Sequence, residues 1–102
     1  MLLNLRPGKV RADYEAWATK TDLPTVTALR SIEKFSLFET TGLLGSEGAP
    51  PYDYIEVLDV ADMDMFGADV SSETMQRISA EFQEWATPTF VVTREVSGRS
   101  GT

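Results

Sequence analysis

The chain contains no cysteine and no histidine. Without cysteine there can be no disulfide, thiolate nucleophile, zinc–thiolate site or iron–sulfur cluster. Without histidine, the side chain best suited to proton transfer near neutral pH is missing, and so is the commonest transition-metal ligand. Ser-His-Asp, Cys-His and histidine-ligated metallohydrolase chemistry are therefore excluded by composition. Basic residues are few: nine Lys and Arg stand against sixteen Asp and Glu, for a net charge of −7. They are scattered, and the stretch from Asp53 to Glu73 holds acids and no base. Binding to a polyanion needs clustered positive charge, so neither nucleic acid nor an anionic membrane is expected as a partner. Long apolar runs are also lacking. Met1–Leu5 is apolar but too short for a signal peptide or a membrane span, and Arg6, Pro7 and Gly8 end it. The expected compartment is the cytoplasm, with no metal and no cofactor.

What is present suits one compact domain. A chain of 102 residues with 42% hydrophobic content can form a core, yet a domain of this size buries only about two-thirds of its unfolded surface. Pairing with a second copy would add to that. Leu2, Leu3 and Leu5 read as a first strand, broken at Pro7-Gly8. Arg11 to about Thr21 reads as a helix, with Tyr14, Trp17 and Ala18 on one face. Its amino end is poorly capped, because Lys9 and Val10 offer no acceptor. Pro24 is expected to stop it, leaving Thr25–Leu29 as a short helical turn. Ile32–Thr40 is a second strand, followed by a long Gly- and Pro-rich hairpin loop and the clearest strand, Tyr52–Val60. A helical region opens at Asp62–Asp69. Ser71 or Ser72 caps a main helix with Met75, Ile78, Phe82 and Trp85 on one face, and Pro88 ends it. Thr89–Val96 reads as the last strand. The domain spans 1–96, and 97–102 is a polar tail.

The order strand, helix, strand, strand, helix, strand is the ferredoxin-like βαββαβ pattern of the α+β class. It predicts a four-stranded antiparallel sheet with both helical segments on one face. The other face needs a cover, and a second copy packed sheet to sheet supplies one. Leu43 and Leu44, adjacent apolar residues in a Gly-rich loop, are expected to join that dimer contact.

Pro7-Gly8, Asp13-Tyr14-Glu15-Ala16-Trp17, Thr21-Asp22-Leu23-Pro24-Thr25-Val26, Leu29 and Ser31 form one series of motifs. Pro51-Tyr52-Asp53-Tyr54-Ile55-Glu56-Val57, Phe66-Gly67-Ala68-Asp69, Glu81-Phe82 and Pro88-Thr89-Phe90 continue it. In this order and spacing, from Leu5 to about Val96, the chain resembles the RedY/HapK-like proteins. These are small dimeric α/β-barrel proteins related by fold to cofactor-independent antibiotic-biosynthesis monooxygenases. The resemblance implies the fold and a homodimer. It also implies an association with red tripyrrole pigment pathways and similar secondary metabolism, in which some members form rings.

Two sets of residues are candidates for chemistry. Tyr14 and Trp17 on the first helix, with Tyr52 and Tyr54 on the third strand, would line a pocket for a flat aromatic ligand if they converge. Otherwise Trp17 is ordinary core and the tyrosines are half-buried strand residues. Glu56 shares a strand face with Tyr52 and Tyr54 by period-2 alternation. A carboxyl among apolar and phenolic groups has a raised pKa and can act as general acid or base. The alternative is an exposed or interface carboxylate paired with Lys34 or Arg94. Asp22 is the second candidate; its structural alternative is a turn residue bracing Leu23-Pro24. Alternation leaves open which sheet face Tyr54 and Glu56 occupy. Asp62, Asp64 and Glu73 echo a calcium loop around Gly67, but Phe66 occupies a ligand position and has no side-chain oxygen. Two functions follow: a cofactor-independent enzyme acting on an aromatic or heterocyclic small molecule, such as a ring-forming cyclase, or a non-catalytic binding or structural dimer module. A fold alone does not choose between them.

Overall fold

The computed structural model describes residues 1–96; the polar tail at 97–102 lies outside the described residues. Strand β1 (Leu2–Leu5) leads through a tight turn, where Gly8 takes φ +85°, into helix α1 (Arg11–Trp17). The left-handed region at that turn suits a residue without a Cβ. As the sequence implies, Val10 gives α1 no side-chain cap. Tyr14 and Ala18 are fully buried, and Trp17 packs partly buried against the same core.

Pro24 does not end the helical run. Residues Ala18–Asp22 widen into a π-helical turn, in which the Leu23 amide bonds back to the Ala18 carbonyl, and α2 (Leu23–Thr27) follows directly. Pro24 has no N–H to give, and its ring would crowd the carbonyl four residues earlier in a regular helix. The wider turn relieves that crowding, and Pro24 then falls in the first turn of α2, where proline is tolerated.

Strand β2 (Ile32–Glu39) carries a register irregularity between Ile32 and Lys34 and pairs antiparallel with β3 (Tyr54–Val60). Tyr52 lies two residues short of β3. Helix α3 (Met63–Val70) is capped by the Asp62 side chain accepting from the Met65 amide. Helix α4 (Glu73–Trp85) is capped by Ser72 accepting from the Met75 amide. Asp62 thus serves a helix cap. Among the described residues, no three of Asp, Glu, His or Cys stand together as a metal site.

The last strand is displaced from its expected place. Strand β4 is Ala86–Thr89, not Thr89–Val96. The register explains the shift: Leu5 pairs with Ala86 and Leu2 with Thr89, so β1 is used up by the time the chain reaches Phe90. Residues 90–96 are not part of a strand, and Phe90, Val92 and Val96 are exposed. Pro88 is accommodated because β4 is an edge strand.

The sheet order is β2-β3-β1-β4, all antiparallel, which is the ferredoxin-like arrangement. Leu3, Tyr54, Tyr14, Ala18, Phe82 and Ala86 form one core cluster between the sheet and its helices. Val26, Ile32 and Phe35 form a second. A 2.6 Å hydrogen bond from the buried Ser31 hydroxyl to Asp69 ties the start of β2 to α3. Phe38, Ile55 and Val57 lie exposed on the opposite sheet face. No helix among the described residues is long and apolar enough to cross a membrane.

Candidate functional site

The question left by alternation is answered by burial. Tyr54 and Glu56 are 1% and 3% exposed and face the helices, while Ile55 and Val57 point to the open face. The Tyr14 ring lies 5.0 Å from that of Tyr54 and 6.1 Å from that of Trp17. Three of the four predicted aromatics therefore meet beneath α1. The fourth does not: Tyr52 has no ring partner among the described residues, and its carbonyl accepts a hydrogen bond from Thr40.

Trp17 is held as part of the core. Its ring packs near those of Phe82 and Trp85, and its Nε1 donates to Glu81 at 2.9 Å. Tyr54 is anchored at its tip, where the hydroxyl donates to Glu15 at 2.6 Å, and the Arg11 guanidinium lies over its ring. Arg11 also bonds Glu39 and Asp53, at 2.9 and 3.1 Å. Burial, with the Glu15 hydrogen bond, raises the Tyr54 pKa. Arg11, Glu15 and Asp53 carry this network. Sequence reasoning did not single them out, because scattered surface charges look alike until the topology brings them together.

Glu56 and Asp22 occupy a different wall. Both line a cleft of about 1240 Å³ whose inner end is apolar, with Val26, Phe35, Ile78 and Phe82. The cleft continues round the strand ends to the open face, past Ile55, Val57 and the segment 90–95. Among the described residues, Glu56 Oε2 has no hydrogen-bond partner, and neither does the buried Tyr14 hydroxyl. Lys34 is paired in register with Asp59 and does not serve Glu56. Asp22 is 5% exposed, set inward by the π-turn, and caps no helix amide. Its side chain makes no cap hydrogen bond to the Leu23-Pro24 corner, the contact that the structural alternative expects. Nothing in the sequence announces this, because a π-turn shifts the facing of every residue after it.

Desolvation pushes the Asp22 carboxyl up to about 6. The same cause, reinforced by the Asp22 charge and partly opposed by the Met1 ammonium, pushes Glu56 up to about 8. The two ionise in sequence. Asp22 loses its proton against a still neutral Glu56, and Glu56 must then ionise against a charged neighbour. Near neutral pH the cleft thus holds one carboxylic acid and one carboxylate. Tyr14 is pushed upward by burial first, then by Glu56 and Asp22, and stays a neutral phenol.

The family model described as REDY-like protein HapK matches residues 1–96 of the chain. The crystal structure of HapK from Hahella chejuensis superposes with a TM-score of 0.67 at 24% sequence identity, covering 95% of this chain and 94% of that one. That likeness supports the fold. No curated protein is detectably similar to the chain.

Proposed function

The chain belongs to the HapK family of REDY-like proteins, and from that premise we propose that it is a proton-transfer enzyme acting on an aromatic or heterocyclic small molecule in secondary metabolism. Ring closure or isomerisation is the class of step it would serve. One observation carries the reading: Glu56 is buried in the wall of a cleft with an unpartnered oxygen, beside a second buried carboxyl, Asp22. Burying such a group without a donor is costly, and a reacting ligand is what would use it.

Glu56, neutral near pH 7, is the general acid; Asp22, ionised there, is the general base. Tyr14, fully buried and not part of the cleft lining, packs behind the wall next to Glu56 and Asp22 rather than touching the ligand. Tyr54 and Trp17 back the Tyr14 ring from behind. Such a pair transfers protons without a redox partner, so the step needs no cofactor.

The test needs no knowledge of the natural substrate. In D₂O, the protein should accelerate exchange of ring protons on electron-rich heteroaromatics such as indoles and pyrroles, followed by proton NMR. Glu56→Gln should reduce the rate by roughly a hundredfold. The wild-type rate should be bell-shaped in pH, with limbs near about 6 and about 8 from Asp22 and Glu56. Binding without any exchange would leave the non-catalytic binding module as the better reading.

We also propose a homodimer, packed through the open sheet face. Phe38, Ile55 and Val57 lie exposed there, and Leu44 is fully exposed in the β2–β3 loop. Covering such a surface is what a second copy would do.

A further inference from the structure

The inner wall of the cleft is unusual in what it lacks. Buried carboxyls ordinarily accept hydrogen bonds from backbone amides, arginine or lysine. Here no described residue donates to Glu56 Oε2, and Asp22 caps no amide. The nearby Met1 ammonium donates to the Glu56 backbone carbonyl, at 2.7 Å. Arg11 is committed to Glu39 and Asp53 on the far side of Tyr54. Among the described residues lining the cleft, Arg94, out on the segment after β4, is the one basic side chain, and Glu33 and Asp59 add further acid to the walls. The deep end thus offers acceptors and an apolar surface, with the proton of Glu56 and the Met1 ammonium, already engaged with the Glu56 carbonyl, as donors.

We infer that the cleft takes a flat, apolar molecule bearing a cationic nitrogen with N–H bonds — a protonated amine, amidine or N-heterocycle — whose N–H groups are accepted by Asp22 and Glu56. This rests on the ligand-binding role proposed above and names the chemical class of its ligand. An anionic ligand would meet Asp22, Glu33 and Asp59 around the cleft, and near the deep end the Met1 ammonium, already bonded to the Glu56 carbonyl, offsets that acid only in part. A metal ion is a poor alternative occupant. A hard cation wants six or more oxygens, and among the described residues no three acidic groups stand together. The apolar lining from Val26, Phe35, Ile78 and Phe82 suits the body of an organic cation. The groups facing Glu56 are Asp22, Tyr14 and the Met1 ammonium. A ligand that arrives neutral would gain its positive charge by taking the Glu56 proton, the general-acid step proposed above, whereas a probe that arrives already cationic adds to the ammonium's pull and should expel that proton near neutral pH.

Three-ring aromatics of matched shape give a direct test on the full chain: 9-aminoacridine as the cation, 9-anthracenemethanol as the neutral form and anthracene-9-carboxylate as the anion. Calorimetry at neutral pH, in salt high enough to screen surface charge, should rank cation over neutral by roughly tenfold or more, and the anion last. Repeating the cation titration in phosphate and in Tris should reveal proton release. The preference should disappear in the Asp22→Asn, Glu56→Gln double variant, while the neutral probe keeps its affinity. Asp22→Asn alone should already narrow the gap. Equal binding of cation and neutral probes would overturn the ligand class and leave the cleft as a binding site. A preference that survives the double variant would assign it to surface charge and overturn it too. If no probe binds, both the class and the binding role of the cleft fall.

Discussion

Glu56 and Asp22 make folding depend on pH with a sign opposite to that of most carboxylates. Their folded pKa values, about 8 and about 6, stand above the ordinary values of 4.5 and 3.8. Between 4.5 and about 8 the folded chain keeps a proton on Glu56 that the unfolded chain has lost. Stability therefore falls as pH rises through that window and levels off above it; Asp22 adds to the fall between 3.8 and about 6. From about pH 5 to about pH 8 the Glu56 contribution is on the order of 3 kcal/mol. Thermal melts should show the midpoint dropping across that range, and Glu56→Gln should flatten most of the slope. A wild-type midpoint that rises across the same range would contradict the burial of an unpartnered Glu56. The aromatic residues divide by the same reasoning. Trp17→Phe removes a made hydrogen bond to Glu81 and should cost about 1 kcal/mol. Tyr14→Phe removes a hydroxyl with no partner among the described residues, so denaturant titration should find it neutral or stabilising. The sequence could place Tyr14 and Trp17 on one helix face because a 3.6-residue period is unambiguous. It could not place Tyr54 and Glu56, because β3 carries apolar residues on both faces; the packing of Tyr14 on Tyr54 decides it.

Among the elements, most of the strands and helices were legible from their apolar periodicity and their breakers, and the errors share a physical origin. Periodicity does not report what an element packs against. Pro24 reads as a helix stop, yet the π-turn at Ala18–Asp22 carries the helix past it. The β-branched run after Pro88 reads as a strand, yet the four residues of β1 pair with Ala86–Thr89 and leave none for Phe90. A π-turn is in effect an α-helix with one residue too many. Deleting Lys20, which is exposed within it, should convert the segment to regular helix and turn Asp22 away from the cleft by about 100°. Such a variant should lose the pH limb near about 6 in the exchange assay while its circular dichroism stays helical. Retention of that limb would show that Asp22 is not positioned by the π-turn. At α4, Ser72→Ala removes the cap on the Met75 amide and should cost about 1 kcal/mol in a denaturant titration.

The described residues form a thin slab, 39 × 38 × 19 Å, with a radius of gyration of 15.1 Å, against about 13 Å for a compact domain of about this length. One layer of helix on one layer of sheet, plus an extended segment after β4, accounts for both figures. The βαββαβ order was enough to read this architecture. The depth of the cleft was not legible, because it depends on where the chain runs after Thr89. Light scattering at micromolar concentration should return about twice the chain mass, and Val57→Lys on the open face should shift it toward the monomer. A wild-type chain that stays monomeric would remove the sheet-packed dimer. The buried, unpartnered Glu56 has one further consequence, for laboratory evolution. Near neutral pH it lowers stability, so a library selected for heat resistance alone, with no ligand present, should enrich replacements at this position early. The same library selected for turnover should retain the acid. Where the two selections part company along the chain would map the catalytic machinery without any prior assumption about the substrate.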